Sequence, residues 1–281
     1  MEGFLLLLIM LLGATFFFNH STAVHVGERC GFNMTCDLGL PCETCFAASS
    51  FWPRCVRSGP VIPTSQVKML PFNRYSWLTT HNSFARMGAT SFITGSTLIF
   101  GTNQMNSVTA QLKNGVRGLM LDMHEFDDDI WLCHGKCDVA TAFQPALMVL
   151  KEVQIFLHEN PSEIITIMIE DHVESPKGLT KLFDAAGIRN LSFPLSRMPK
   201  DGRDWPTVYD MVQKNQRLVV FTSNDDKQAS EGIAYQWNYM VENQYGDDGM
   251  NGYCINRAEP SPMNSVSKSL VLMNYFRSSS N

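Results

Sequence analysis

The sequence predicts an α/β fold in which a parallel sheet is covered by helices, as in a TIM-like (β/α) barrel. From residue 66 onward, apolar strand-like runs alternate with amphipathic helical segments, an alternation that is typical of parallel sheets. Several of the strand runs end in a histidine or a carboxylate, and in a (β/α)₈ barrel such strand ends form the active-site face. The chain has 281 residues, 44% of them hydrophobic, so it can bury one large core beside a smaller module.

The predicted elements follow one another in a regular order. A short apolar run predicts a strand in each of six segments: 75–81, 116–124, 127–135, 164–171, 217–224 and 269–276. Helices are predicted over 103–115, 142–160, 177–187 and 205–215. The second helix has apolar residues every three to four positions, at Leu147, Leu150, Val153 and Leu157. The first and third helices stop at glycine, and the fourth has a proline near its start; these are recognised helix end and start signals.

The N-terminus indicates export. The apolar run from Phe4 to Phe18 is too short for a comfortable transmembrane helix, and small and polar residues follow it. This pattern predicts a secretory signal peptide over residues 1–23. Glu2 precedes the run and no Lys or Arg does, so a signal anchor stays the alternative. The last residues, FRSSSN, form no hydrophobic tail, so no GPI-anchor signal is expected and we expect a secreted, extracellular protein.

Two domains are predicted after the signal peptide. Residues 24–60 are rich in cysteine and poor in periodic apolar pattern, which predicts a small disulfide-stapled module. Residues 58–65 carry two prolines, a glycine and two serines, and are predicted to be a linker. Residues 61–281 then form the barrel domain. The sequons at Asn33 and Asn190 are candidate glycosylation sites.

An even number of cysteines behind a signal peptide indicates disulfides. The eight are Cys30, Cys36, Cys42, Cys45, Cys55, Cys133, Cys137 and Cys254. Five of them lie in the N-terminal module, so at least one of those five pairs elsewhere or stays reduced. Cys133 and Cys137 are close enough to pair with each other, which leaves Cys254 to reach back to the N-terminal module. Eight cysteines allow 105 connectivities, so the pairing stays open. A zinc site at CETC is a weaker interpretation, because no second C-x-x-C pair follows.

Several function classes are excluded or disfavoured by the sequence. The net charge is −5 and no block of Lys and Arg occurs, so the electrostatic footprint of a nucleic-acid-binding protein is absent. The sequence contains no G-x-S-x-G, P-loop, G-x-G-x-x-G or H-E-x-x-H motif. A zinc hydrolase with two histidines and a carboxylate stays open. No feature predicts an oligomeric state.

The residues that end the predicted strands favour phosphodiester cleavage. They are His81, Asp122, His124, His134, Glu170 and Asp171. Phosphodiester cleavage needs a base for the nucleophile, an acid for the leaving oxygen, and positive charge beside the phosphoryl group. Imidazole can serve as base or acid near neutral pH. We therefore predict His81 as general base and His134 as general acid. The alternative is that both are ordinary polar residues at strand ends.

Three oxygen donors are predicted to hold a metal. Asn82 follows His81, Asp122 ends one buried strand, and Glu170 ends another. Amide and carboxylate oxygens suit Ca²⁺ or Mg²⁺ better than zinc. A salt bridge from Asp122 to a cation such as Arg117 is the alternative. His124 and Arg117 are candidate substrate contacts, although the position of Arg117 near the other end of its strand favours a structural role.

Several motifs in order resemble the X region of phosphatidylinositol-specific phospholipase C. They are THNSFA, GVRGLMLD, WLCHG, PSEIITIMIED, RLVVF and SLVLMNYF. Together with the cysteine-rich stretch before them, they are most similar to the plant secreted phospholipase C-like phosphodiesterases. The resemblance implies a distorted TIM barrel. It also implies that His81 deprotonates the inositol 2-hydroxyl, which attacks phosphorus, and that His134 protonates the diacylglycerol oxygen. A cyclic inositol phosphate would form first.

The resemblance also implies where this chain departs from the family. In the calcium-dependent branch the metal ligands fall at Asn82, Asp122 and Glu170, but the fourth acidic ligand is replaced by Met120. In the metal-free branch an Arg and a Lys stand at the positions of His124 and Glu170. A weakened Ca²⁺ or Mg²⁺ site is therefore expected. The family also has a last strand whose Asp orients the base, and we expect this barrel to lack that strand.

Two functions follow as hypotheses. The first is a phosphoric diester hydrolase that cleaves phosphatidylinositol-type or glycerophosphodiester lipids while bound transiently to a membrane surface. The second is a catalytically impaired extracellular protein that keeps the fold and binds a phosphorylated lipid or a wall component. Met120 and the missing strand favour the second hypothesis, and the retention of His81 and His134 favours the first.

Overall fold

A computed structural model describes six stretches of the chain: 22–31, 33–44, 52–65, 67–99, 101–246 and 253–276. Most of the predicted signal peptide and Cys45 lie outside these residues. The chain divides into two compact units between Pro60 and Val61.

The first unit is a small module held by disulfides. Strand β1 (Thr22–Val24) pairs in parallel with β2 (Met34–Cys36), and β3 (Cys42–Glu43) pairs antiparallel with β4 (Arg54–Cys55). Cys30 is bonded to Cys42 and Cys36 to Cys55. Strands this short bury little apolar area, so the covalent links supply much of what holds the module together.

The second unit contains nine strands and five α-helices among the described residues. The strands are β5 (Thr79–Thr80), β6 (Gly118–Phe126), β7 (Asp129–Cys133), β8 (Ala142–Pro145), β9 (Ile165–His172), β10 (Leu218–Thr222), β11 (Ala234–Tyr235), β12 (Met240–Glu242) and β13 (Leu270–Leu272). The helices are α1 (Val108–Lys113), α2 (Ala146–Glu159), α3 (Gly178–Ala186), α4 (Val208–Gln213) and α5 (Asp226–Ser230). The main sheet has the order β11-β10-β9-β6-β7-β8, and β5 also pairs with β6.

The parallel arrangement matches the predicted fold class. Strands β5, β6, β9, β10 and β11 are mutually parallel, and β12 and β13 form a separate parallel pair. Seven parallel strands therefore occur among the described residues of the second unit, with helices between most of them. This is the α/β, TIM-barrel-like architecture that the sequence predicts.

Two predicted elements differ from the structure. The predicted helix 142–160 begins with β8, and α2 starts only at Ala146, directly after Pro145. Proline suits the start of a helix because it has no N–H to bond, and here it separates the strand from the helix. Within the predicted strand 75–81, only β5 (Thr79–Thr80) is a strand in the structure. In addition, β7 pairs antiparallel with both β6 and β8, a hairpin that the parallel pattern does not predict.

Alternation along the central strands separates two apolar faces. Leu119, Leu121 and Ile167 point toward the core beneath α2 and α3. Met120 and Met168 point the other way, into a second apolar cluster. This second face lines a cavity of about 820 Å³ that reaches His81 at the strand ends. Side chains that follow Met120 and Met168 at two-residue intervals therefore lie on the same face of the sheet.

Candidate active site

The strand register brings predicted site residues together. Asp122 on β6 lies opposite Glu170 on β9, and His124 lies opposite His172. All four share the face of Met120, because side chains at two-residue intervals point the same way. Asp171 points to the opposite face, where its Oδ2 accepts a hydrogen bond of 2.7 Å from Thr222 Oγ1. Asp171 is therefore a structural residue and not part of the pocket.

His81 follows β5 and is held mainly by burial. Its backbone carbonyl accepts a 2.6 Å hydrogen bond from Gln104 Nε2. The buried Nδ1 atom has no hydrogen-bond partner in the described part of the chain. Burial lowers the pKa of His81 to about 4, helped by nearby His134 and opposed by Glu170. His81 is therefore neutral at neutral pH, as a group that accepts a proton must be.

His134 follows β7 and faces His81. The two ring centroids are 6.5 Å apart, with the rings nearly perpendicular at 86°. The Nδ1 atom of His134 lies 2.5 Å from the carbonyl oxygen of Gly101, so Nδ1 carries a hydrogen and donates it. The remaining nitrogen, Nε2, is directed toward Asn82, at 3.2 Å. The separation of the rings lets one phosphoryl group lie within hydrogen-bond reach of both.

The Asn82 amide lies between Asp122 and His134. Asn82 is buried, and its φ of 41° lies in the left-handed region. With its nitrogen toward Asp122, the amide donates to both carboxylate oxygens, at 2.9 and 3.1 Å, and its oxygen accepts from His134 Nε2. With its oxygen toward Asp122, Nδ2 donates to Asn103 Oδ1 at 3.2 Å. In the second orientation three oxygens converge, and only a proton or a cation between them makes the contact favourable.

The electrostatics of Asp122 fit a cation. Burial raises the pKa of Asp122 to about 8, helped by the neighbouring Glu170 carboxylate and opposed by a hydrogen bond from the Gly135 N–H. No Lys or Arg forms a salt bridge with Asp122 among the described residues. A carboxylate in this setting gains from a divalent ion, and the donors around it are oxygens.

The donors are not fully assembled. Glu170 Oε1 lies 3.1 Å from His172 Nε2, and its side chain is 59% exposed. Met120 contributes no oxygen, so it supplies no hard ligand. In the part of the chain that the structure describes, the one close group of three His, Cys, Asp or Glu ligands is Cys30, Cys36 and Cys55, which are held in disulfides. Asn82 and Asp122 thus offer oxygens of the kind that a hard cation prefers, whereas the Glu170 carboxylate is paired with His172.

A stacked histidine pair borders the pocket. The rings of His124 and His172 are 4.2 Å apart and nearly parallel, at 15°. Burial lowers the pKa of His124, helped by His172 and opposed by Glu170. The sequence predicts a surface position for His172 and no site role, and half of its side chain is exposed. Its position two residues after Glu170 on the same strand is the signal that places it on the pocket face.

The prediction of Arg117 as a substrate contact is wrong. Its side chain is 2% exposed, and Nε lies 2.7 Å from Glu163 Oε2. Nη1 donates to the carbonyls of Leu112 and Val116, at 2.8 Å each. The N–H groups of the guanidinium therefore form hydrogen bonds inside the protein, at the start of β6. This end of the strand lies away from Asp122. Arg117 is a structural residue, as its position in the strand already favoured.

Two of the three cysteines outside the first unit form a disulfide. Cys133 is bonded to Cys137, in agreement with local pairing. Cys254 is exposed. The predicted link from Cys254 to the N-terminal module stays a prediction, because Cys45 lies outside the described residues. The glycosylation candidates Asn33 and Asn190 are both exposed.

The main sheet thus presents two facing histidines and the opposed carboxylates of Asp122 and Glu170 at one edge of a TIM-barrel-like α/β fold. The family model described as PI-PLC X 1 matches residues 75–280, which is more than half of the chain. The chain therefore belongs to the PI-PLC X family.

Two relatives and one solved structure illustrate the similarity. A PI-PLC X domain-containing protein of Arabidopsis thaliana is 53% identical over 253 residues, which cover 89% of this chain and 59% of that protein. An uncharacterized secreted protein of Arthroderma benhamiae is 26% identical, over 54% of this chain and 35% of that protein. The phosphatidylinositol-specific phospholipase C of Listeria monocytogenes is 17% identical, with a TM-score of 0.47 over 68% of each chain. The chain thus spans about three fifths of the length of the Arabidopsis relative.

Proposed function

We propose that this chain is a phosphoric diester hydrolase that cleaves phosphatidylinositol-type or related glycerophosphodiester lipids. The observation that carries the proposal is the pair of imidazoles, 6.5 Å apart, beside Asp122 at the ends of the strands. Membership of the PI-PLC X family supports the same class of reaction.

Acid–base catalysis follows from how each ring is held. Neutral His81 takes the proton from the attacking hydroxyl, because its lowered pKa keeps a lone pair available. His134 donates Nδ1–H to the Gly101 carbonyl, which leaves Nε2 to give a proton to the leaving oxygen. A neutral base and a protonated acid on opposite sides of the phosphoryl group allow bond formation and bond cleavage to proceed together.

The proposed mechanism also includes a bound divalent ion. Asn82, Asp122 and Glu170 would hold Ca²⁺ or Mg²⁺, since all three offer oxygen ligands and Asp122 lacks a cationic side-chain partner in the described residues. When bound, such an ion supplies positive charge to the phosphoryl oxygens. Three protein ligands make a weak site, because Met120 stands where an acidic ligand would be.

A membrane surface is the proposed place of action, outside the cell. The segment that carries Gly101 also carries several exposed apolar side chains, and these suit shallow contact with lipid. They are Met87, Phe92, Ile93, Ile99 and Met105. The described residues include no helix that is long and apolar enough to span a bilayer. The predicted signal peptide and the secreted relative support export.

A second candidate function is supported by specific observations. His81 Nδ1 has no acceptor among the described residues, and Met120 removes a ligand. Both features would weaken catalysis, while the two imidazoles and the fold would remain to bind a phosphorylated ligand. A catalytically impaired extracellular binding protein of the same fold is therefore the alternative.

One assay separates these functions. The secreted chain is incubated with phosphatidylinositol vesicles and with glycerophosphodiesters, in Ca²⁺ or in chelator, beside His81→Ala and His134→Ala. His158→Ala, at an exposed histidine of α2, is the matched control. We expect activity in the wild type and the control, and a loss in both site variants. Equal inactivity of all four folded proteins would reject hydrolysis, and calcium-dependent vesicle binding would then support the alternative.

A further inference from the structure

A short covalent loop encloses the residue proposed as general acid. Cys133 is the last residue of β7, and its disulfide with Cys137 spans four positions of the chain. His134, Gly135 and Lys136 lie inside this loop. Few backbone conformations remain open to a segment this short once its ends are bonded. The loop therefore limits where the His134 ring can go.

The loop is also fixed to the rest of the barrel. Cys133 is fully buried and packs with Trp131 and Ala142, and Cys137 packs against the same cluster. The N–H of His134 donates to the carbonyl of Thr141 at 3.1 Å.

Thr141 closes the loop from the other side. Its hydroxyl donates to the carbonyl of Lys136 and accepts from the N–H of Asp138, at 3.0 Å. The loop that holds His134 is thus bonded covalently at its ends and by hydrogen bonds along its length.

The restricted loop determines the position of one ring nitrogen, His134 Nδ1. His134 Nδ1 meets the Gly101 carbonyl, which belongs to a different segment of the chain. A Cβ atom at residue 101 would lie 3.1 Å from that nitrogen, so the two segments approach closely. A small displacement of the loop would break this bond and would free the ring to turn. With Nδ1 on Gly101, Nε2 lies 3.2 Å from the Asn82 amide.

We propose that the Cys133–Cys137 disulfide is a positioning element that keeps His134 Nδ1 on the Gly101 carbonyl and thereby directs Nε2 into the pocket. This inference rests on the proposed function for its catalytic meaning. The geometry of the ring is measurable without any substrate, so the two proposals fail separately.

The test is the double variant Cys133→Ala/Cys137→Ala, studied by two measurements. ¹H–¹⁵N correlation spectra of the histidine rings report which nitrogen of His134 carries the hydrogen. Steady-state kinetics report kcat and KM. We expect the Nδ1–H signature of His134 to be replaced by averaged signals. We also expect kcat to fall about 10- to 100-fold, as for a misplaced catalytic group, while KM changes little.

The matched control is Cys30→Ala/Cys42→Ala, which removes a disulfide from the first unit. It should leave the His134 signals and kcat as in the wild type. If Cys133→Ala/Cys137→Ala does not fold, Thr141→Val loosens the same loop with the disulfide intact. Thr141→Val should shift the His134 signals in the same direction, and Thr141→Ser, which keeps the hydroxyl, should restore them.

Unchanged His134 ring signals in a folded disulfide variant, or in Thr141→Val, would overturn the positioning role. An equal change in the Cys30→Ala/Cys42→Ala control would also overturn it, because the effect would then be one of general stability. A wild type without activity but with the expected spectral changes would reject the proposed reaction and leave the positioning role standing.

Discussion

The two histidines of the pocket are held in different ways. His134 lies in a covalent loop and donates to a backbone carbonyl, so bonds define its orientation. His81 has no acceptor for Nδ1 among the described residues, so packing defines its orientation. Hydrogen bonds define the direction in which a side chain points, whereas packing restricts its position and excludes water. The proposed base is therefore the half of the site that is more sensitive to its apolar surroundings.

The packing around His81 comes from the end of the second parallel pair. Phe276 stacks on the His81 ring at 3.9 Å and 13°, and Tyr245 stacks on Phe276 at 5.5 Å and 13°. The N–H of Gly246 donates to the carbonyl of Phe276 at 2.8 Å, which joins the segments that follow β12 and β13. An aromatic ring thus covers one face of the His81 imidazole.

The largest expected effect concerns the pH dependence of stability on the His81 side. The folded pKa of His81, about 4, lies below its ordinary 6.5, so the unfolded chain binds more protons between these values. His81 then contributes stability above pH 6.5, and the contribution is lost as the pH falls toward 4. The loss amounts to about 3 kcal/mol.

Denaturant unfolding of the wild type and of His81→Gln between pH 4 and 7 measures this difference. The variant should lose less stability across that range. His158→Gln, at an exposed histidine, is the control and should follow the wild type. Parallel curves for the wild type and His81→Gln would mean that His81 is not desolvated.

The next effect tests the bonded side. Gly101→Ala places a Cβ atom 3.1 Å from His134 Nδ1, at a φ of 63°. We expect kcat to fall about 10-fold or more, because the ring must move. Gly88→Ala is the matched control, since Gly88 has a similar φ of 74° and open space around its Cβ position. Equal losses in both variants would show that backbone strain, and not contact with His134, is responsible.

The smallest effect tests the aromatic face. Phe276→Leu removes the stacked ring from His81, and an aromatic pair contributes about 0.5–1.5 kcal/mol, which predicts a two- to tenfold fall in kcat. The ring protons of His81 should also lose their ring-current shift in NMR spectra. Phe276→Tyr should preserve both properties, and Tyr275→Leu, at an exposed neighbour, should change neither. A wild-type shift in Phe276→Leu would contradict the stack.

Local pattern predicted the positions of the site residues but not what holds them. His81, Asp122 and Glu170 follow from strand ends, because parallel strands bring their C-terminal ends to one edge. His134 comes to the same edge by another route, since β7 runs antiparallel back along β6. The contact of Phe276 with His81 and that of Gly101 with His134 join segments far apart in the chain, and no periodicity encodes such pairs. The β7–β8 hairpin was missed for a related reason: Ala142 and Phe143 suit either a strand or a helix.

The buried pair of Arg117 and Glu163 has a consequence for the opposite end of the sheet. Arg117 precedes β6 and Glu163 precedes β9, so their 2.7 Å contact ties the beginnings of the two strands together. A slip of one residue would turn Asp122 from the pocket to the helical face. The Arg117–Glu163 contact supports the observed register from a point about 17 Å along the strand from Asp122. A substitution of Arg117 is therefore expected to act on the site through the pairing of β6 with β9 and not through contact with the site residues.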